Sequence, residues 1–131
     1  MKKLISIALL SLSSIVSAQA AVVIIGAPGA SNISASDAKK LFLGKGSSTL
    51  VAFELDENTA VRSEFHSKVT KKSSSQLKAY WSKQVFTGKG NPPATLSNAA
   101  AMKSTISSTP NAIGYIDEAD LDDTVKVIYK P

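Results

Sequence analysis

The segment DENTAVRSEF, residues 56–65, brings together residue types that can hold an oxyanion. Thr59 is a helix N-cap candidate, which places Ala60, Val61 and Arg62 at the first three helical positions. Backbone N–H groups in a helix's first turn have no acceptor within the helix. They also carry partial positive charge, so a phosphate or carboxylate can accept from them directly. Arg62 lies about 4.5 Å along the axis from Thr59, at about 1.5 Å per residue, and on nearly the same side. Its planar guanidinium can close on the anion with two parallel hydrogen bonds. The bland alternative is a threonine cap without a ligand, with Arg62 paired to Glu57 or Asp56. Those carboxylates repel a bound anion unless they turn away.

Other chemistries find little support. The chain has one histidine and no cysteine, which excludes thiol catalysis and cysteine-based metal sites. A lone His66 builds neither a metal centre nor, without geometry, a Ser-His-Asp triad. It is expected on the surface of its helix. No nucleophile–base pair is visible, so no enzymatic activity and no cofactor are expected. The acidic run Asp117, Glu118, Asp120, Asp122, Asp123 lacks the spaced ligands and terminal glutamate of a calcium loop and reads as a solvated turn. Tyr80, Trp81 and Phe86 could form a stacking platform, but at helical spacing they are expected in the core. The GKG triplets lack the spacing of a phosphate loop.

Residues 1–20 read as a secretory leader. Lys2 and Lys3 precede a short apolar stretch, and Ala18-Gln19-Ala20 is a small-x-small site, with cleavage expected after Ala20. This implies a bacterial periplasmic protein with no membrane insertion after cleavage. What remains, 21–131, is roughly 110 residues, enough for one domain with one core. Without cysteine, packing alone must hold it together in an oxidising compartment. Loss of the two leader lysines lowers the formal charge of +5 to about +3. That is a mild preference for anions, and the absence of a long basic block argues against nucleic acid. The pairs Lys39-Lys40 and Lys71-Lys72 read as solvated helix faces.

The elements that must position DENTAVRSEF alternate along the chain. Val22–Ile25 is a continuous β-branched run, as in a strand covered on both faces. It ends in the turn cluster Gly26–Gly29. A first helix follows, capped by Ser34 or Ser36 and stopped at Gly44. KGSSTL is a loop. Val51, Phe53 and Leu55 alternate as a second strand. Helices are expected over 59–70 and over SSSQLKAYWSKQVF, the latter with a Ser73–Gln76 capping box. In that third helix Leu77, Tyr80, Trp81 and Val85 make the apolar stripe. TGKGNPP breaks the chain, and Ser97 is the expected cap of a fourth helix. Residues 112–116 form a strand, and Val125, Val127 and Tyr129 form the last, with Ile128 on its other face. The order β-α-β-α-α-α-β-β implies an α/β fold, a largely parallel or mixed sheet with helices on both faces.

Several stretches carry a resemblance. LFLGK (41–45), RSEFHSKV (62–69), YWSKQVFTGKGNPP (80–93), TPNAIGYID (109–117) and the closing VKVIY resemble the periplasmic phosphate-binding-protein-like family, the substrate-binding components of phosphate ABC transporters. The chain is most similar to short members that correspond to a single lobe of a type II periplasmic-binding-protein-like fold. The family's ligand motif reads Asp-Glu-Gly-Ser-Gly-Thr-Arg. Asp56, Glu57 and Arg62 match it, and Thr59 stands where the family has serine. Asn58 and Ala60 replace the glycines, and Val61 replaces a threonine. The resemblance implies a solute-binding protein holding phosphate or a similar oxyanion. Its contacts would be Thr59, Arg62 and the amides of Ala60 and Val61, with Ser31 and Asn32 from the loop after the first strand. It also implies an ABC permease or another envelope protein as partner. With one lobe, binding would be weak or completed by a second copy, a homodimer. The alternative is a scaffold or protein-interaction component of the envelope that has lost its solute.

Overall fold

The computed structural model describes residues 21–45 and 49–131. The expected leader and residues 46–48 of the KGSSTL loop lie outside these described residues. In chain order the strands are β1 (Val22–Gly26), β2 (Val51–Leu55), β3 (Ala94–Leu96), β4 (Ala112–Asp117) and β5 (Lys126–Tyr129). The helices are α1 (Ala35–Phe42), α2 (Ala60–Lys68), α3 (Ser74–Phe86) and α4 (Ala99–Ser108). One 3-10 turn spans Glu118–Asp120. No helix among the described residues is long and apolar enough to cross a membrane.

The strands form one mixed sheet in the order β3-β2-β4-β1-β5. β2 runs parallel to both β3 and β4, while β1 is antiparallel to β4 and β5. All five residues of β1 are buried, as its unbroken β-branched run requires. The two faces can be told apart on β4, where side chains alternate. Gly114 faces α4, where an added Cβ would overlap the Met102 sulfur. Tyr115 faces the other way. It stacks on Phe65 of α2 with ring centroids 3.9 Å apart and meets Phe42 of α1 at 5.8 Å. Helices therefore cover both sides of the sheet, and one apolar core runs through it.

The caps follow local chemistry. Ser34 accepts from the Asp37 amide at 3.1 Å, and Ser73 and Gln76 form the reciprocal capping box. Gly44 ends α1 at a φ of +68°, where a glycine avoids the Cβ clash. α4 departs from expectation: Asn98, not Ser97, caps it, accepting from Ala101 N at 2.8 Å. Asn98 stands three residues before that amide, the spacing a cap needs.

Three larger departures have tertiary causes. Ala94–Leu96, between the break TGKGNPP and the fourth helix, is an edge strand formed by parallel pairing with Phe53, Glu54 and Leu55. The last strand carries a register shift against Ile24 and Ile25, with Ile24 opposite Tyr129 and Ile25 opposite Val127. Ile128, on the other face from Val127 and Tyr129 as expected, is the buried residue of β5. Finally, α3 packs across the end of α1: Tyr80 Oη donates to Leu43 O at 2.5 Å, and Trp81 lies against Gly44. Leu77 and Trp81 are buried there, but the helix continues beyond its support. Val85 stays exposed, and Phe86, expected in the core, is 89% exposed.

Candidate functional site

α2 begins where β2 ends. Asp56 and Glu57 form the turn between them, and the Thr59 amide donates back to Asp56 O at 3.1 Å. Thr59 has the extended backbone of an N-cap, φ −84° and ψ 137°. Its hydroxyl, however, donates to Asp56 O at 2.8 Å and makes no cap hydrogen bond. The other three helices have side-chain caps, from Ser34, Ser73 and Asn98. The first-turn amides of Ala60, Val61 and Arg62 thus face outward without a side-chain acceptor from Thr59.

Arg62 is turned onto the end of β2. Nη1 donates to Leu55 O at 3.0 Å, and Nη2 lies 3.5 Å from Glu54 Oε2. The alternative pairing with Asp56 or Glu57 is replaced by pairing with Glu54. Glu57 instead meets Lys78 at 3.0 Å. The Arg62 side chain is 17% exposed. A guanidinium has five N–H donors, so this arrangement leaves some for a ligand.

Behind Arg62 lies a buried polar network that alternation along β2 does not suggest. Glu54 faces α2 and is 2% exposed, and His66 is 3% exposed. The expectation of a surface histidine is overturned: His66 Nε2 contacts Glu54 Oε1, and Nδ1 lies 2.8 Å from Thr70 Oγ1. The Thr70 hydroxyl donates to His66 O at 3.2 Å, so its oxygen is the acceptor for Nδ1–H. Arg62 sits at the other carboxylate oxygen of Glu54. Next to it, burial first and the Glu54 charge second raise the Tyr115 phenol above its ordinary pKa. Its oxygen accepts from the Leu55 amide at 3.2 Å. Glu54 and Leu55 lie at the C-terminal end of β2, Arg62 and His66 on α2, Thr70 just beyond it and Tyr115 on β4. A cue was present in the sequence: Glu54 and His66 lie on consecutive elements joined by a short turn.

Ser31 and Asn32 are not part of this arrangement. β1 is antiparallel to β4, and its last residue, Gly26, is level with Ile113 and so with Ala52 at the start of β2. Thr59 follows the opposite end, Leu55, about 10 Å further along the sheet at about 3.3 Å per residue. The loop carrying Ser31 and Asn32 is tied to β5 instead, through Ile33 N to Ile128 O at 3.1 Å and Lys126 Nζ to Ala30 O at 2.7 Å. The strand direction separates the two sets of residues.

Among the described residues three clefts have Arg62 in their lining, the smallest of about 180 Å³ beside Glu57, Lys78 and Trp81; the two larger ones flank it. One, of about 530 Å³, is lined by Glu54, Asp56, Glu57, Asn58, Pro92 and Thr95 among others. The other, of about 450 Å³, lies between α2 and α3 and is lined by Arg62, Ser63, His66, Ser67, Lys71, Lys72, Ser73, Ser74 and Leu77. Among the described residues no group of three or more His, Asp or Glu side chains is placed to hold a metal ion. The acidic run is pinned by a cation: Lys103 Nζ meets Asp122 Oδ2 at 2.8 Å and Asp120 O at 2.9 Å.

No protein-family model and no curated protein matches the chain. Solved structures do. An ABC-type phosphate transport receptor from Vibrio cholerae superposes with a TM-score of 0.65 over 83% of this chain and 45% of its own, at 13% identity. A putative phosphate ABC transporter substrate-binding protein from Clostridium perfringens, solved with bound phosphate, gives 0.59 over 83% and 44%, at 14% identity. PstS from Borrelia burgdorferi gives 0.59 over 83% and 46%, at 13% identity. The chain thus has the fold of phosphate ABC transporter substrate-binding proteins and spans a little under half the length of each.

Proposed function

We propose that this chain is a non-enzymatic, single-lobe solute-binding module of the phosphate ABC transporter type, exported to the periplasm and holding phosphate or a similar oxyanion at the N-terminus of α2. The observation that carries this reading is the Thr59 hydroxyl, which donates to Asp56 O and leaves the amides of Ala60, Val61 and Arg62 without a side-chain cap. These amides and the spare donors of Arg62 make a cradle of hydrogen-bond donors. The similarity in fold to a receptor solved with bound phosphate supports the ligand class. The nearby carboxylates are partly neutralised, Glu57 by Lys78 and Glu54 by Arg62 and His66. The cradle is open to water, where charge-assisted bonds are weak. Binding is therefore weak in the isolated chain and tightens where a second copy, a permease or another envelope protein covers the site.

Isothermal titration with inorganic phosphate tests this reading. Arg62→Ala should abolish the heat seen with the wild type. Ala60→Pro is the sharper probe. Proline is tolerated at the first helical position, Thr59 already has a backbone compatible with a following proline, and Ala60 is exposed. The change removes one donor amide and leaves the fold intact. Unchanged affinity in both variants refutes the site.

A second reading, an envelope scaffold that has lost its solute, draws on the Arg62–Glu54 pairing, which already engages the guanidinium. No phosphate-dependent change in Tm, together with a stable stoichiometric complex with an envelope protein, favours it over the first.

A further inference from the structure

The two larger clefts beside Arg62 differ in charge. The one at the β2–α2 turn sets three carboxylates, Glu54, Asp56 and Glu57, against one guanidinium. The one between α2 and α3 has Arg62, Lys71 and Lys72 and no carboxylate in its lining, with His66 at its floor. Four serine hydroxyls, Ser63, Ser67, Ser73 and Ser74, complete it, and Leu77 is the single aliphatic wall. Its volume of about 450 Å³ is inside the range of roughly 300–1,000 Å³ usual for small-molecule pockets, and far larger than one inorganic oxyanion needs.

The lysines are held in place at some cost. The turn after α2 is closed by Lys71 N donating to His66 O at 2.7 Å. This puts Lys71 at φ +60°, the sole non-glycine residue at positive φ among the described residues. Glycine is the residue that this position prefers. The Lys72 ammonium sits 5.4 Å from the centre of the Tyr80 ring, which orients it without neutralising it. The same α2 terminus that seats the buried Glu54–His66 pair thus presents two lysines, without a carboxylate partner among the described residues, to a hydroxyl-lined hollow.

We propose that the pocket between α2 and α3 is a binding site for a phosphate monoester of a sugar or polyol. The phosphate would meet Lys71, Lys72 and Arg62, and the serine hydroxyls would bond the ligand's own hydroxyls. A lining with one aliphatic wall and four hydroxyls suits a polar body over an apolar or aromatic one. This site lies on the other side of Arg62 from the α2 N-terminus and does not depend on phosphate binding there.

The test uses isothermal titration and thermal shift on the mature chain, with glucose 6-phosphate, glucose and inorganic phosphate as probes. Glucose 6-phosphate should raise the Tm of the wild type, and glucose should not. Lys71→Gly should weaken glucose 6-phosphate at least tenfold while leaving the ligand-free Tm unchanged or higher, because glycine relieves the backbone at that position. Lys72→Ala should weaken it likewise, and Ala60→Pro should leave it unaltered. Glucose 6-phosphate affinity that survives Lys71→Gly and Lys72→Ala overturns the proposal, as does equal binding of glucose or no binding at millimolar concentration. Loss of inorganic phosphate in Ala60→Pro alone reports on the α2 N-terminus and leaves this pocket's result separate.

Discussion

The Glu54–His66 contact offers the sharpest energetic test, because both side chains are almost completely buried. Removing one partner from a buried hydrogen-bond network that carries charge costs about 3–5 kcal/mol, since what is left stays unpaired in a low-dielectric site. Arg62 moderates the cost of Glu54→Leu, because at 17% exposure it can turn toward water once its partner is gone. That places Glu54→Leu near the low end, about 3 kcal/mol. His66→Leu leaves the carboxylate buried with Arg62 3.5 Å away, and should cost about as much. Replacing both partners by apolar side chains removes the orphaned charge. The double variant should then be about as stable as either single one or more so, a coupling of about 3 kcal/mol or more. Urea unfolding reads this directly. With slopes of about 1–3 kcal/mol per molar, each single change moves the midpoint by roughly 1–3 M at unchanged slope. Additive losses in the double variant, or a neutral His66→Leu, would show that the two side chains do not meet and that His66 belongs on the surface after all.

Three further expectations rest on separate observations. Gly114→Ala drives a methyl into the Met102 sulfur; it should cost about 1–3 kcal/mol by overpacking, and Met102→Val in the same chain should restore part of that loss in a thermal melt. Asp122 is held down to about 2 from 3.8, by its bond to Lys103 first and then by Thr124. A depressed carboxylate stabilises the fold above its unfolded value, and that contribution disappears as pH falls through the window from about 3.8 to about 2. Carboxyl carbon shifts in NMR should show the low midpoint, and Lys103→Ala should move it up toward the ordinary carboxylate range; an unmoved midpoint would exclude the lysine as the cause. Tyr115→Phe removes the acceptor for the buried Leu55 amide and should cost about 1–3 kcal/mol, with faster hydrogen exchange at that amide as the site-specific readout.

Much of the architecture is legible in local patterns. The run Val22–Ile25 could only be a strand covered on both faces, and the Ser73–Gln76 pair marks the start of α3. Gly44 ends α1 because the chain needs a positive φ there. What local pattern misreads is whatever depends on a partner far along the chain. Ala94–Leu96 has no strand signature of its own and extends because β2 offers it an edge. Phe86 has the composition of a core residue and stays in solvent because α1 ends before it.

The candidate site divides in the same way. DENTAVRSEF on its own places a helix start, a threonine at its cap and an arginine one turn in, because cap and dipole chemistry act over a few residues. It does not say where Arg62 points. Tertiary structure turned it onto Glu54, buried His66 beneath it and carried Ser31 and Asn32 to the far end of the sheet. The physical reason is that strand direction and the second face of β2 are set by long-range pairing. Whether Glu54 meets water or α2, and which cleft gathers the lysines, are consequences of packing that no short stretch of residues contains.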